Sequence, residues 1–184
     1  SADVMPTMSS RLVQCAIAAG MVAPSICIAC WSDAERLYGV SSHLLYAVAR
    51  AESDLQPAAV NLTHRARTGT YDIGLMQINS SHLPKLASLG ISESDLLEPC
   101  TNIKVGAWLL ADSFARRGVS WDAVGAYNAA CTQLKGDDCA AARSRYAWRV
   151  YRRLPGEQAK SRSQQATPAS RTPPASPASA PFIL

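Results

Sequence analysis

From residue 30 onward, apolar residues recur three and four positions apart in short runs, and Gly or Pro closes most of them. This pattern constrains the fold more than any other feature. Leu44, Leu45, Val48 and Ala51 share one helical face, with Ser41 or Ser42 placed to cap its start and Pro57 limiting its extension. Val105, Trp108, Leu109 and Phe114 line a second helix that Thr101 or Asn102 opens and Gly118 closes. Ala147, Val150, Tyr151 and Leu154 stand at i, i+3, i+4 and i+7 in a last helix over 139–154. Shorter helices fit 31–38 (Ser32 or Asp33 as cap), 80–89 and 121–130 (Ser120 as cap), while Ser92 and Asp95 form a loose capping box. Residues 58–72 are polar and suit a small hairpin or loop, and 73–78 suit a short extended or turn segment. Amphipathic stripes of this length need one another for burial, so the expectation is a mainly α domain with a small irregular β/loop lobe.

The ends differ from this middle. Met8-Ser9-Ser10-Arg11 is a short positive start, and the next 19 residues carry no charge and are mostly apolar or small. They read as a secretory signal cut before Cys30, making 1–29 a leader; Gly20 and Pro24 interrupt the run and argue against a retained membrane anchor. Residues 156–184 are rich in Pro, Ala, Ser, Thr and Arg without periodicity, and are expected to be a disordered tail. The domain is then 30–155. The formal charge of +4 is split between tail and domain, and 30–156 holds 14 basic and 12 acidic residues. So mild an excess gives no footprint for nucleic acid. Export removes Cys15 and Cys27 and leaves Cys30, Cys100, Cys131 and Cys139, an even set suited to disulfides in one of three pairings. Cys131 with Cys139 would close a short loop, and Cys30 with Cys100 would tie the mature start to the middle of the domain. A zinc site is the weaker alternative, since there is no Cys-x-x-Cys and His43, His64 and His82 are scattered. No metal or cofactor is expected, and the domain is expected to be a monomer.

Glu52 ends the helix led by Leu44, within Ala51-Glu52-Ser53-Asp54. A carboxyl at the end of a packed helix can be kept protonated at neutral pH by apolar surroundings, as a general acid for glycosidic cleavage requires. Gly74-Leu75-Met76-Gln77-Ile78 and Ala126-Tyr127-Asn128 follow downstream. In this order and spacing the three motifs resemble those of the lysozyme-like lytic transglycosylases. Cys30-Trp31, Gly90-Ile91-Ser92-Glu93, Pro99-Cys100 and Val124-Gly125-Ala126-Tyr127-Asn128-Ala129 are similar to the small specialised members attached to type III secretion, type IV pilus and conjugation machines.

The resemblance implies a lysozyme-like fold and cleavage of the bond from N-acetylmuramic acid to N-acetylglucosamine in peptidoglycan strands. It makes Glu52 first the acid, then the base that deprotonates the C6 hydroxyl, leaving a 1,6-anhydro end. This one-carboxylate scheme departs from the usual pair of carboxylates. It implies that Ser53 holds the acid or meets substrate, although a helix-terminal serine can instead bond backbone. The Gln77 amide suits sugar hydroxyls and N-acetyl groups, and Met76 offers either a soft surface for a sugar face or a core side chain. Gly74 allows an unusual backbone shape or close approach of glycan. Tyr127 is expected beside the acid, and Asn128 at the saccharide or the helix. The family often has Gly two residues beyond that Asn, where this chain has Ala130, so the local loop is expected to differ. Asn102-Ile103-x-x-Gly106 also matches and reads as a helix start with close packing. Asp72 and Asp54 are the possible second carboxylates, with a turn the simpler role for Asp72. Arg143, Arg145, Arg149, Arg152 and Arg153 read as a solvated face. Two rival readings stand beside the transglycosylase: a hydrolytic muramidase and a non-catalytic glycan-binding assembly protein. The expected location is the periplasm.

Overall fold

The computed structural model describes residues 28–131 and 133–156. Residues 1–27, with Cys15 and Cys27, and residues 157–184 lie outside them, and with them most of the expected leader and tail. Among the described residues, seven α-helices and a three-stranded sheet follow the order α1 (Ile28–Tyr38), α2 (Ser42–Glu52), β1 (Val60–Asn61), α3 (Arg65–Thr68), β2 (Asp72–Ile73), β3 (Ile78–Asn79), α4 (Leu83–Ala87), α5 (Pro99–Arg117), α6 (Trp121–Asn128) and α7 (Gly136–Tyr151). Short 3-10 turns cover Ser80–His82 and Ser94–Leu97. Among the described residues no helix is long and apolar enough to cross a membrane.

The expected α stripes are the ones that pack. Leu44, Leu45 and Val48 of α2 meet Ile103 and Leu110 of α5, Val124 of α6, and Tyr146, Ala147 and Val150 of α7 in a single buried cluster. Helix α6 lies on α7, α1 and α6 lie on α5, and α2 lies on α7. Close approach of α6 to α7 depends on Gly125, where a side chain would collide with the backbone of Arg143. The polar stretch forms the small lobe. β1 pairs antiparallel with β2, Val60 opposite Ile73, and β2 pairs antiparallel with β3, Asp72 opposite Asn79.

Several expected boundaries move, each for a local reason. Helix α1 begins at Ile28, so Ser32 and Asp33 lie inside it; Ser32 Oγ donates to the Ala29 carbonyl, and Asp33 pairs with Arg36. The helix expected over 80–89 divides into a 3-10 turn, capped by the Asn79 side chain, and α4 with Pro84 in its first turn. Pro99 opens α5, and Glu98 rather than Thr101 or Asn102 caps it, accepting from the N–H groups of Cys100 and Thr101. Ser120 does cap α6, accepting from Ala123 N–H. Helix α7 starts three residues earlier than expected and ends at Tyr151. All four domain cysteines are oxidised, Cys30 to Cys100 and Cys131 to Cys139. The first bond fastens α1 to α5; the second closes the connection from α6 to α7.

Candidate active site

Helix α2 is anchored by its buried face and delivers Glu52 at its last position. Ser53 ends it: its N–H donates to the Ala49 carbonyl, its Oγ donates to the Leu75 carbonyl at 2.6 Å, and that same oxygen accepts from Gln56 N–H at 3.1 Å. This serine therefore bonds backbone, and in doing so fixes the end of α2 to the loop of the small lobe. Asp54 and Leu55 follow with φ of 52° and 66°, two successive non-glycine residues in the left-handed region. Such a conformation costs about 1 kcal/mol or more per residue and persists only where packing imposes it. It carries Asp54 outward, where it pairs with Arg50 at 2.9 Å and is mostly exposed.

The Glu52 carboxyl turns inward. Tyr146 of α7 donates its hydroxyl to Glu52 Oε1 at 2.6 Å. The Arg149 guanidinium lies over the Tyr146 ring, 4.9 Å from its centroid. Tyr127 of α6 stacks on Tyr146 with centroids 6.4 Å apart. Burial pushes the Glu52 carboxyl up to about 7; the Tyr146 hydrogen bond and the Arg149 charge oppose that rise, and the Asp72 charge adds to it. Burial and the nearby Glu52 charge hold the Tyr146 hydroxyl well above its ordinary range, so it remains a donor. Near neutral pH Glu52 can both release and recover a proton.

The loop from β2 to β3 lies against the end of α2, and Asn102 of α5 shapes it from inside. Asn102 is buried; its Oδ1 accepts from Met76 N–H at 2.7 Å, and its Nδ2 donates to the carbonyls of Ile73 at 3.0 Å and Leu96 at 2.7 Å. Gly74 has φ of 76°, and a Cβ there would overlap Asn102 Nδ2 and the Leu96 carbonyl. Its lack of a side chain therefore accommodates protein, on a backbone of the unusual shape that was one of its two expected roles. Of the two roles expected for Met76, the structure has the core side chain: it is fully buried and fills the space over Gly106. Gln77, at φ 50°, uses its Nε2 to donate to the carbonyls of Ala59 and Gly74 at 3.2 and 2.8 Å. Tyr127 donates its hydroxyl to the Met76 carbonyl at 2.9 Å, so it holds the loop while Tyr146 holds the acid. Asn128 is exposed at the end of α6.

Asp72 lies in β2 rather than in a turn. It accepts from Asn79 Nδ2 at 2.8 Å and stands 3.7 Å from His64 Nε2. Its charge reaches both Glu52 and Tyr127. Cys131 has φ of 60° and, with Cys139, fixes the loop after Asn128 where Ala130 departs from the expected Gly. The arginines of the last helix divide. Arg145 and Arg152 are exposed, whereas Arg143 donates to the Ala129 carbonyl, Arg149 stacks on Tyr146, and Arg153 donates to the carbonyls of Arg50 and Arg149. The solvated-face expectation fails for those three because α7 packs on α2 and α6.

Residues 29–144 match the family described as Transglycosylase SLT domain. The chain belongs to that family. Invasion protein IagB of Salmonella typhimurium (strain SL1344) is 43% identical over 140 residues, 74% of this chain and 83% of that protein. Protein IpgF of Shigella flexneri is 38% identical over 125 residues, 67% of this chain and 78% of that protein. Among solved structures, an inactive mutant of the lytic transglycosylase Slt from Pseudomonas aeruginosa is similar over 73% of this chain, with a TM-score of 0.53 and 22% identity. The similarity spans 24% of Slt and shows the shared fold. This SLT domain is thus mainly helical and lysozyme-like, and an enzyme of the lytic transglycosylase class. Its small three-stranded sheet is the lobe expected beside the cleft.

Tyr146 and Asn102 were not singled out as site residues by sequence reasoning. Tyr146 carried a signal, because it falls four residues before Val150 on the buried stripe of α7.

Proposed function

We propose that this SLT domain cleaves the β-1,4 bond from N-acetylmuramic acid to N-acetylglucosamine in peptidoglycan, with Glu52 as its acid and base. The Tyr146 hydroxyl donating to Glu52 Oε1 at 2.6 Å, on a half-buried carboxyl that its surroundings push up to about 7, is the observation that carries this reading. Glu52 gives its proton to the glycosidic oxygen as the bond from that oxygen to C1 breaks. The resulting carboxylate takes the proton of the muramic acid C6 hydroxyl. The C6 oxygen then bonds C1, giving a 1,6-anhydro end and restoring the acid. Ser53 and Tyr127 hold the two walls of the cleft in register. Asn128 and the Gln77 side-chain oxygen would meet sugar hydroxyls or N-acetyl groups.

Asp72 supports a second reading. A second carboxylate whose charge reaches the acid can stabilise positive charge at C1 and let water attack, as in a hydrolytic muramidase. Export to the periplasm is supported by two disulfides, which persist in oxidising compartments. The name of the 43% identical relative, an invasion protein, supports a task in opening the wall locally for a secretion, pilus or conjugation apparatus.

The test is mass spectrometry of soluble products after the purified protein digests peptidoglycan, with Glu52→Gln as control. Anhydro-muropeptides from wild type only are expected, with cleavage declining as pH rises through about 7. Reducing ends that disappear in Asp72→Asn would establish the hydrolase instead. Binding without products from wild type would establish a glycan-binding protein.

A further inference from the structure

We propose that Arg149 is a positioning residue: its guanidinium, stacked on Tyr146, stabilises the Glu52 carboxylate that forms when the acid gives up its proton. The inference rests on the reading of Glu52 as that acid. Tyr146 and Arg149 lie three residues apart on α7, so one helical face presents them as a unit. The guanidinium carbon is 4.9 Å from the ring centroid, within reach of the ring's negative face. At the far end of that ring, the hydroxyl is 2.6 Å from Glu52 Oε1. Arg149 Nε is buried and makes no hydrogen bond. A guanidinium drawn from water without an acceptor for that N–H is costly. Two features of this site compensate for it: the ring beneath it, and a carboxylate beyond the ring.

A cation on the ring face draws electron density from the phenol and makes its O–H a stronger donor. That donor faces an oxygen whose full negative charge exists only after proton transfer. Arg149 therefore favours the state reached when the glycosidic oxygen has been protonated, and does so without touching sugar or carboxyl. The other titratable groups near Glu52 are Asp72 from β2, whose charge opposes ionisation, and Tyr127 from α6, which keeps its proton. Arg153, just beyond α7, donates to the Arg149 carbonyl, and the charges of Arg149, Arg152, Arg50 of α2 and Asp54 all reach Arg153. Arg153 bridges the backbones of the two helices through the Arg50 and Arg149 carbonyls, which fixes α7 and keeps Arg149 over the ring.

The experiment is a carbon-13 titration of the full chain labelled at glutamate side-chain carboxyls, with Glu52→Gln to assign the resonance. In the wild type Glu52 is expected to titrate near neutral pH. In Arg149→Met it should titrate at higher pH, and in Arg149→Lys close to wild type. Arg149→Gln, neutral and polar, replaces the methionine variant if that one does not fold. In peptidoglycan digestion the alkaline limb should move with the titration. Turnover on the acid plateau of the neutral variant should fall about fivefold, the effect of losing a partly desolvated cation–π contact. A folded neutral variant whose Glu52 titrates at the wild-type pH overturns the proposal. So does a lysine variant that shifts as far as the neutral ones, since packing rather than charge would then govern. The titration needs no turnover, so a wild type that cleaves nothing defeats only the catalytic reading.

Discussion

Replacing Glu52 by Gln should abolish cleavage and stabilise the fold, and the gain should depend on pH in a defined direction. The carboxyl ionises at about 7 in the native protein against 4.5 for an unperturbed glutamate. A group whose native value is raised holds its proton more tightly when folded. Its contribution is therefore fully present below pH 4.5 and is lost as pH rises through 7. At about 1.4 kcal/mol for each pH unit, the loss reaches at most about 3 kcal/mol in alkaline solution. Glutamine never ionises, and its carbonyl oxygen can still accept from the Tyr146 hydroxyl, so it removes the penalty while keeping the contact. Urea midpoints of wild type and variant should coincide near pH 4. They should separate progressively to pH 8.5, where the variant should also melt on the order of 10 °C higher. An equal gain at both pH values would mean that packing, not charge, is responsible. No gain at pH 8.5 would mean that the Glu52 carboxylate is comfortably solvated in the native state, and the acid would then lack its physical basis.

Three further outcomes follow from the supports of the site. Asn102→Ala leaves the Met76 N–H and the Ile73 and Leu96 carbonyls without their partner, and should cost roughly 4 kcal/mol by urea denaturation; a cost under 1 kcal/mol would show that the loop does not depend on this side chain. Gly74→Ala meets both a left-handed backbone and overlap with Asn102, so a loss of about 3 kcal/mol or more is expected, whereas a neutral result would refute the close approach. The Cys30–Cys100 bond spans 70 residues and the Cys131–Cys139 bond spans 8, so the chain-entropy account gives about 4 and about 2.5 kcal/mol. Serine pairs at the two sites, compared by urea denaturation, should reproduce that order.

The helices were legible because each buries a stripe whose spacing is visible in one dimension. Leu44, Leu45 and Val48 of α2, and Ala147 and Val150 of α7, are core residues on the faces that periodicity assigns them. The ends were less legible because capping is decided by whichever side chain reaches the free N–H groups. Glu98 outcompetes Thr101 by standing directly ahead of Pro99, and Asn79 caps a turn that reads from sequence as a helix. The resemblance pointed to Glu52 and Tyr127, but it could not divide the work between two tyrosines. Tyr127 and Tyr146 stack on each other, yet only the second reaches Glu52, while the first reaches the Met76 carbonyl. That division follows from α6 and α7 approaching the cleft from different directions. Crossing geometry of this kind is set by packing at Gly125 and has no local signature around either tyrosine. Arg149 escaped for a related reason. In a run containing five arginines it looks like its neighbours, and only the fold reveals that α7 turns this one inward over an aromatic ring while Arg145 and Arg152 remain in water. A charge run on one helix is thus not one surface. The helix that packs beside it determines which charges stay solvated and which are drawn into the chemistry.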